Sequence, residues 1–221
     1  MKPILFNTEM VRAILDGRKT VTRRVIDRDI VNNCDMEKDG TLLNYQNCHG
    51  DFINPVDLCR YKVNDILYVR ETWHKYTKRV GEGESCHLAE FYGYKASIAN
   101  SEDANEPWRP SINMPKEAAR IFLRVTGVRV ERLEDITQED AIKEGVMVEE
   151  FDKEGGFYER DEFLYLWDST IKKDQLQYYG WDANPYVWVI EFEVIDKAAL
   201  QKLQGTVGVM MVNKLVKEGK A

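Results

Sequence analysis

The sequence predicts an α+β fold: a small, mostly antiparallel β-barrel with helices at its rim and two long insertions. Three observations carry this. Strand-like stretches near 66–69, 118–133 and 187–195 are not separated by regular crossover helices, which argues against a doubly wound sheet. Two short helices with clear caps flank them, at 7–16 and 134–146. Residues 27–62 and 77–115 are polar, rich in turn formers and without sustained period, as expected of insertions. Residues 1–195 are thus expected to form one domain, followed by a helical tail at 196–221.

The elements are justified in order. In NTEMVRAILD, Asn7 or Thr8 supplies an N-cap, Met10/Ile14 and Val11/Leu15 are apolar i, i+4 pairs, and Gly17 is a stop. The β-branched residues of 20–26 predict an extended segment. Within 27–62 a short hairpin is expected at most. A turn at Asn64-Asp65 leads into a buried strand over 66–69, with Glu71 and Trp73 beyond it. Two prolines bound WRPSINMP (108–115) and exclude a helix there. Residues 118–133 alternate as a strand does, and Gly127 marks a bulge or bend. Over 134–146 Thr137 caps a short helix, Glu139 and Asp140 favour its positive end, and Gly145 ends it. Residues 163–171 predict a helix that turns Phe163, Leu166 and Trp167 inward, and 187–195 the last strand.

Charge narrows the function classes. The chain has 221 residues and a net charge of −7, which disfavours a general clamp on long polyanions. The charge is uneven: residues 1–28 hold seven Lys/Arg against three Asp/Glu, and residues 131–162 hold thirteen Asp/Glu against four Lys/Arg. A basic site facing acidic groups suits a small polar substrate. There is no apolar run of membrane-spanning length and no secretory pattern at the N-terminus, so a cytoplasmic location without membrane partners is expected. The four cysteines form no CxxC pair. Cys48-His49 and Cys86-His87 fit no compact zinc motif, and neither metal nor cofactor is expected.

Four ordered blocks, GRKTVTRR (17–24), VNDILYVRETW (63–73), the strand leading into EDITQEDAIKEGV (134–146), and WVIEFEVI (188–195), resemble the ASCH domain of the PUA-like superfamily. The longer ASCH proteins of phages and prophages are the most similar in organisation. The signature is G-x-K-x-x-x-x-R, here Gly17, Lys19 and Arg24. The resemblance implies an RNA-binding module, a ribonuclease, or, as in a subgroup of small bacterial ASCH proteins, an amidohydrolase that removes the acetyl group of N(4)-acetylcytidine. That subgroup uses a lysine and a threonine within G-R-K-T-x-T-x-R and a glutamate just before a short helix ends. Carried over, these are Lys19, Thr22 and Glu144, with Arg24 as the arginine. The insertions make this chain much longer than those hydrolases.

For amide hydrolysis Thr22 would be the nucleophile and Lys19 its base, which requires a lowered lysine pKa. Glu144 would orient the lysine or relay its proton. Arg18, Arg23, Arg24, Glu71 and Trp73 are the expected substrate-binding residues, and a modified nucleoside or RNA the expected partner. Trp73, Trp108 and Trp181 lie in or beside loops, where a base could stack, and Trp188 is assigned to packing. In a regular strand Lys19 and Thr22 would face opposite sides. They converge only if Lys19 belongs to the turn after Gly17.

Overall fold

A computed structural model describes residues 1–97, 107–148, 156, 158–196 and 199–200. Its strands are β1 (Lys2–Leu5), β2 (Val21–Val25), β3 (Cys34–Met36), β4 (Leu42–Gln46), β5 (Phe52–Ile53), β6 (Ile66–Arg70), β7 (Trp73–Val80), β8 (His87–Tyr94), β9 (Phe122–Arg132) and β10 (Tyr186–Ile195). Its helices are α1 (Thr8–Leu15), α2 (Arg28–Asn32), α3 (Pro55–Leu58), α4 (Gln138–Lys143), α5 (Glu159–Thr170) and α6 (Leu176–Tyr179).

The central sheet has the order β1-β6-β9-β10-β2. The β1–β6 pair is parallel and the other three are antiparallel. This corrects the expected barrel: the fold is mixed α+β with several sheets, and among the described residues no sheet closes. β1 and β2 are the two edges and share no ladder, because the chain passes from one to the other through α1 and a turn. What reaches across is a side chain, Arg24 Nη2 donating to Leu5 O at 2.8 Å. Helix α4 docks on the β2 edge, where Thr20 N donates to Lys143 O at 2.9 Å. Both edges are thereby occupied without strand closure.

Alternation divides the sheet into two apolar faces. Ile190 and Phe192 of β10 join Phe6, Val11, Ile14, Leu67, Leu123 and Val125 under α1. Val187 and Val189 join Val21, Leu133, Ile136, Phe163, Trp167 and Trp181 under α4 and α5. β10 is covered on both faces, which explains its near-continuous apolar run. The ladder shifts register between Glu191 and Phe192, opposite Gly127 and Val125, so Thr126 is the extra residue of a bulge. The bulge lets Leu123 and Val125 before it, and Val128 after it, contribute to the same face.

The caps are as the sequence predicts. Asn7 accepts from Met10 N at 2.8 Å, and Thr137 accepts from Asp140 N at 3.1 Å. Gly17 and Gly145 both take positive φ at the helix ends. The insertions are more ordered than expected. Residues 27–62 form α2, the three-stranded β3-β4-β5 sheet and α3, and residues 73–94 form the β7–β8 hairpin. That hairpin is mostly polar and half-exposed, so it lacks the apolar alternation that reveals a strand. Ser111–Asn113 makes one 3₁₀ turn in the proline-bounded loop. Helix α5 begins before the expected 163 and buries Phe163 and Trp167. β1, unexpected from sequence, is four residues long. Most of the expected tail, part of the second insertion and residues 149–155 and 157 lie outside the described residues. Among the described residues no helix is long and apolar enough to cross a membrane.

Candidate active site

The site grows from the turn between α1 and β2. Arg18 N and Lys19 N both donate to Ala13 O, at 2.9 and 3.0 Å, so the C-terminal turn of α1 holds Lys19 ahead of the strand. The end of α4 approaches the same place. Gly145 has φ +90°, and a Cβ there would stand 2.7 Å from Ala13 Cβ and 3.0 Å from Lys19 Cβ. Glycine is therefore needed twice over, for its backbone conformation and for this close approach.

The approach brings Glu144 onto Lys19. Lys19 Nζ donates to Glu144 Oε2 at 2.5 Å and to the Glu144 carbonyl at 2.8 Å, with both side chains buried. A carboxylate at a helix C-terminus is disfavoured by the helix dipole. Two cations offset that cost, because Arg23 Nη1 donates to Glu144 Oε1 at 3.2 Å. β2 is an edge strand, so Glu144 lies beside it and meets side chains from both faces: Lys19 on one side, Arg23 on the other.

The roles of the adjacent arginines differ. Arg23 is buried and committed, donating to Glu131 at 2.5 and 3.1 Å and to Asp140 at 3.3 Å as well as to Glu144. It also lies over the Phe163 ring, at 5.9 Å. Arg129 extends this network through Glu131, Asp140 and Glu191. Arg18 pairs with Asp16 and donates to Gly145 O at 2.7 Å, tying the two helix ends together. Arg24 is half-buried, donates to Leu5 O and forms no ion pair among the described residues. Partial desolvation pulls its guanidinium below the ordinary value, opposed by Tyr61 and Glu144. It remains a cation.

Thr22 shares a face of β2 with Arg24, opposite Ile190 and Trp188 of β10. The Phe6 ring lies 5.7 Å from Lys19 Nζ and 5.4 Å from the Arg24 guanidinium carbon. Lys19 thus reaches the face that carries Thr22 and Arg24, as its place in the turn predicts. The Thr22 side chain is buried. Burial lowers the Lys19 pKa from its ordinary 10.5; Glu144 opposes this through charge and hydrogen bond, and Arg24 and Arg23 reinforce it.

Glu71 and Trp73 belong to a different corner, at the end of β6. Arg120 holds both Glu71 oxygens, at 2.8 and 2.9 Å. Trp73 is buried with Met114 and Ala118. Trp108 stacks near His74, and Trp181 is part of the second core. Trp188 donates to Pro55 O and packs partly buried on the site face. Cys48 and Cys86 are exposed, and among the described residues no three metal-type side chains converge. Sequence reasoning missed Phe6 and Tyr61. The signal for Phe6 was present: it precedes the Asn7 cap and packs in one cluster with Val11, as a hydrophobic staple does. Tyr61 comes from the first insertion, and nothing local points from it to Arg24.

Comparison with family models, curated proteins and solved structures finds no match.

Proposed function

We propose that the chain is an ASCH-type amidohydrolase acting on the acyl amide of a modified cytosine nucleoside, with Lys19, Thr22 and Glu144 as its chemical group. The observation that carries the reading is the buried contact of Lys19 with Glu144, next to the strand that carries the buried Thr22. A buried lysine held by a single carboxylate and flanked by two guanidinium groups is poised nearer neutrality than a solvated one.

In this reading a neutral Lys19 takes the Thr22 proton as Oγ1 attacks the acyl carbonyl. The bond between carbonyl carbon and amide nitrogen breaks, and the ammonium formed on Lys19 returns the proton to the leaving amine. Water then releases the acyl group from Thr22. Glu144 stabilises the transient ammonium. Arg24, the half-exposed member of the group, faces the oxyanion or the base carbonyl. The Phe6 ring lies against both Lys19 and Arg24. Arg23 is a positioning residue, because its donors are already committed to three carboxylates.

The test is incubation of the pure protein with N(4)-acetylcytidine and quantification of cytidine. The expected result is turnover that falls about 100-fold or more in Lys19→Ala. No cytidine from the wild type, or equal cytidine from the variant, contradicts the reading.

A further inference from the structure

A second site lies at the far end of β2, away from Lys19. Ile26, Pro185 and Tyr186 form the buried floor of a cavity of about 150 Å³. Two arginines converge on it from separate parts of the chain: Arg28 from the first insertion and Arg132 from the end of β9. Each guanidinium lies over a tyrosine ring, Arg28 at 4.3 Å from Tyr178 and Arg132 at 3.8 Å from Tyr186. A guanidinium over an aromatic ring can still donate from its N–H groups to a ligand.

Two further features set this cavity apart. Its lining contains no carboxylate, although the chain carries a net charge of −7. Among the described residues neither arginine forms an ion pair, whereas Arg23, Arg120 and Arg129 all do. Arg132 spends one donor on Asn184 O, at 2.8 Å, and keeps the rest. Two uncompensated, oriented guanidinium groups around a small hollow have the chemistry of an oxyanion receptor. The volume is below the roughly 300–1,000 Å³ of pockets that enclose drug-sized ligands, so the group received is small. A tetrahedral anion offers the several oxygens that two forks require.

We propose that Arg28 and Arg132 form a phosphate-binding site, separate from the Lys19 group, that receives the phosphate of a phosphomonoester or of a phosphodiester link. The site stands on its own residues, so its fate is independent of the hydrolase reading.

The experiment is an NMR titration of the full chain at low salt with inorganic phosphate, and in parallel with a short single-stranded RNA lacking terminal phosphates. Saturable shifts confined to amides around 26–32 and 183–186 with inorganic phosphate alone support the site and assign it to free phosphoesters. The same shifts with the RNA support it and assign it to the backbone of a strand. Arg28 is exposed, so Arg28→Ala is expected to fold as the wild type does and to weaken binding about tenfold or more. Arg132→Lys keeps the charge, loses the stacked fork and is expected to weaken binding as well. Any cytidine release from N(4)-acetylcytidine stays at the wild-type rate in Arg28→Ala. Absence of saturable shifts with both probes, or undiminished binding in both variants, overturns the proposal.

Discussion

Two carboxylates in this molecule are equally well hidden, and they are held in opposite ways. Glu71 meets one guanidinium along both oxygens, and Arg120 is itself fixed by Ser97 and stacked on Tyr94. Both Glu71 oxygens are paired there, while Trp73 Nε1 and His74 Nδ1, next along the chain, are buried without a hydrogen-bond partner among the described residues. Glu144 is divided between a lysine and an arginine that arrive from opposite faces of an edge strand. The lysine is titratable, and Arg24 has no carboxylate partner among the described residues. A closed fork stabilises a corner. A shared carboxylate with spare donors beside it can move a proton. The same ingredients, a buried acid and a base, therefore read as architecture in one place and as chemistry in the other.

The largest effect expected separates the two by charge imbalance. Glu144→Ala leaves Lys19 and Arg23 buried without their common partner and should cost about 3–5 kcal/mol, roughly 10 °C in melting temperature for a chain of this size. In Glu71→Ala the freed Arg120 side chain is already 26% exposed and can rehydrate, so the loss should be about 2 kcal/mol. Thermal denaturation of the two variants side by side checks the order. Equal losses would erase the distinction.

Next in size is Gly145→Ala. A methyl group there is strained by the positive φ and collides with Ala13 and Lys19, so α4 must withdraw from the turn. We expect a loss of about 2 kcal/mol, and a fall in cytidine release of roughly tenfold, because Glu144 moves with the helix end. A melting curve and a rate on the same sample test both.

The smallest effect is the pH dependence of stability. The folded Lys19 pKa lies below 10.5, so between that lowered value and 10.5 the unfolded chain keeps a proton that the folded chain has released. Stability from this residue rises with pH through that window. Denaturation of wild type and Lys19→Met at increasing pH should show the difference between them changing in favour of the wild type toward 10.5.

Much of this arrangement is legible in the sequence, for local reasons. Asn7, Thr137, Gly17 and Gly145 mark helix ends because capping and positive φ are properties of a few residues. The pairing of Lys19 with Glu144 spans 125 positions, and only the ordered motifs pointed to it. Barrel closure was not legible. Whether the edges of a sheet meet depends on how β1 joins β6 in parallel and on what occupies the flank of β2, and neither leaves a periodic trace. Arg23 and Arg24 look alike in sequence, yet adjacent strand positions face opposite ways. One is spent on carboxylates and the other donates to a backbone carbonyl. Glu71 and Trp73, near Lys19 in motif order, sit at another corner of the sheet.

The most direct test is the rate of cytidine release from N(4)-acetylcytidine by Thr22→Val, measured against wild type with melting curves of both. Valine matches threonine in shape and removes one hydroxyl, so stability should change by no more than about 1 kcal/mol. The account predicts a rate lower by at least about 100-fold at near-unchanged stability. A Thr22→Val protein that releases cytidine as fast as the wild type would contradict it.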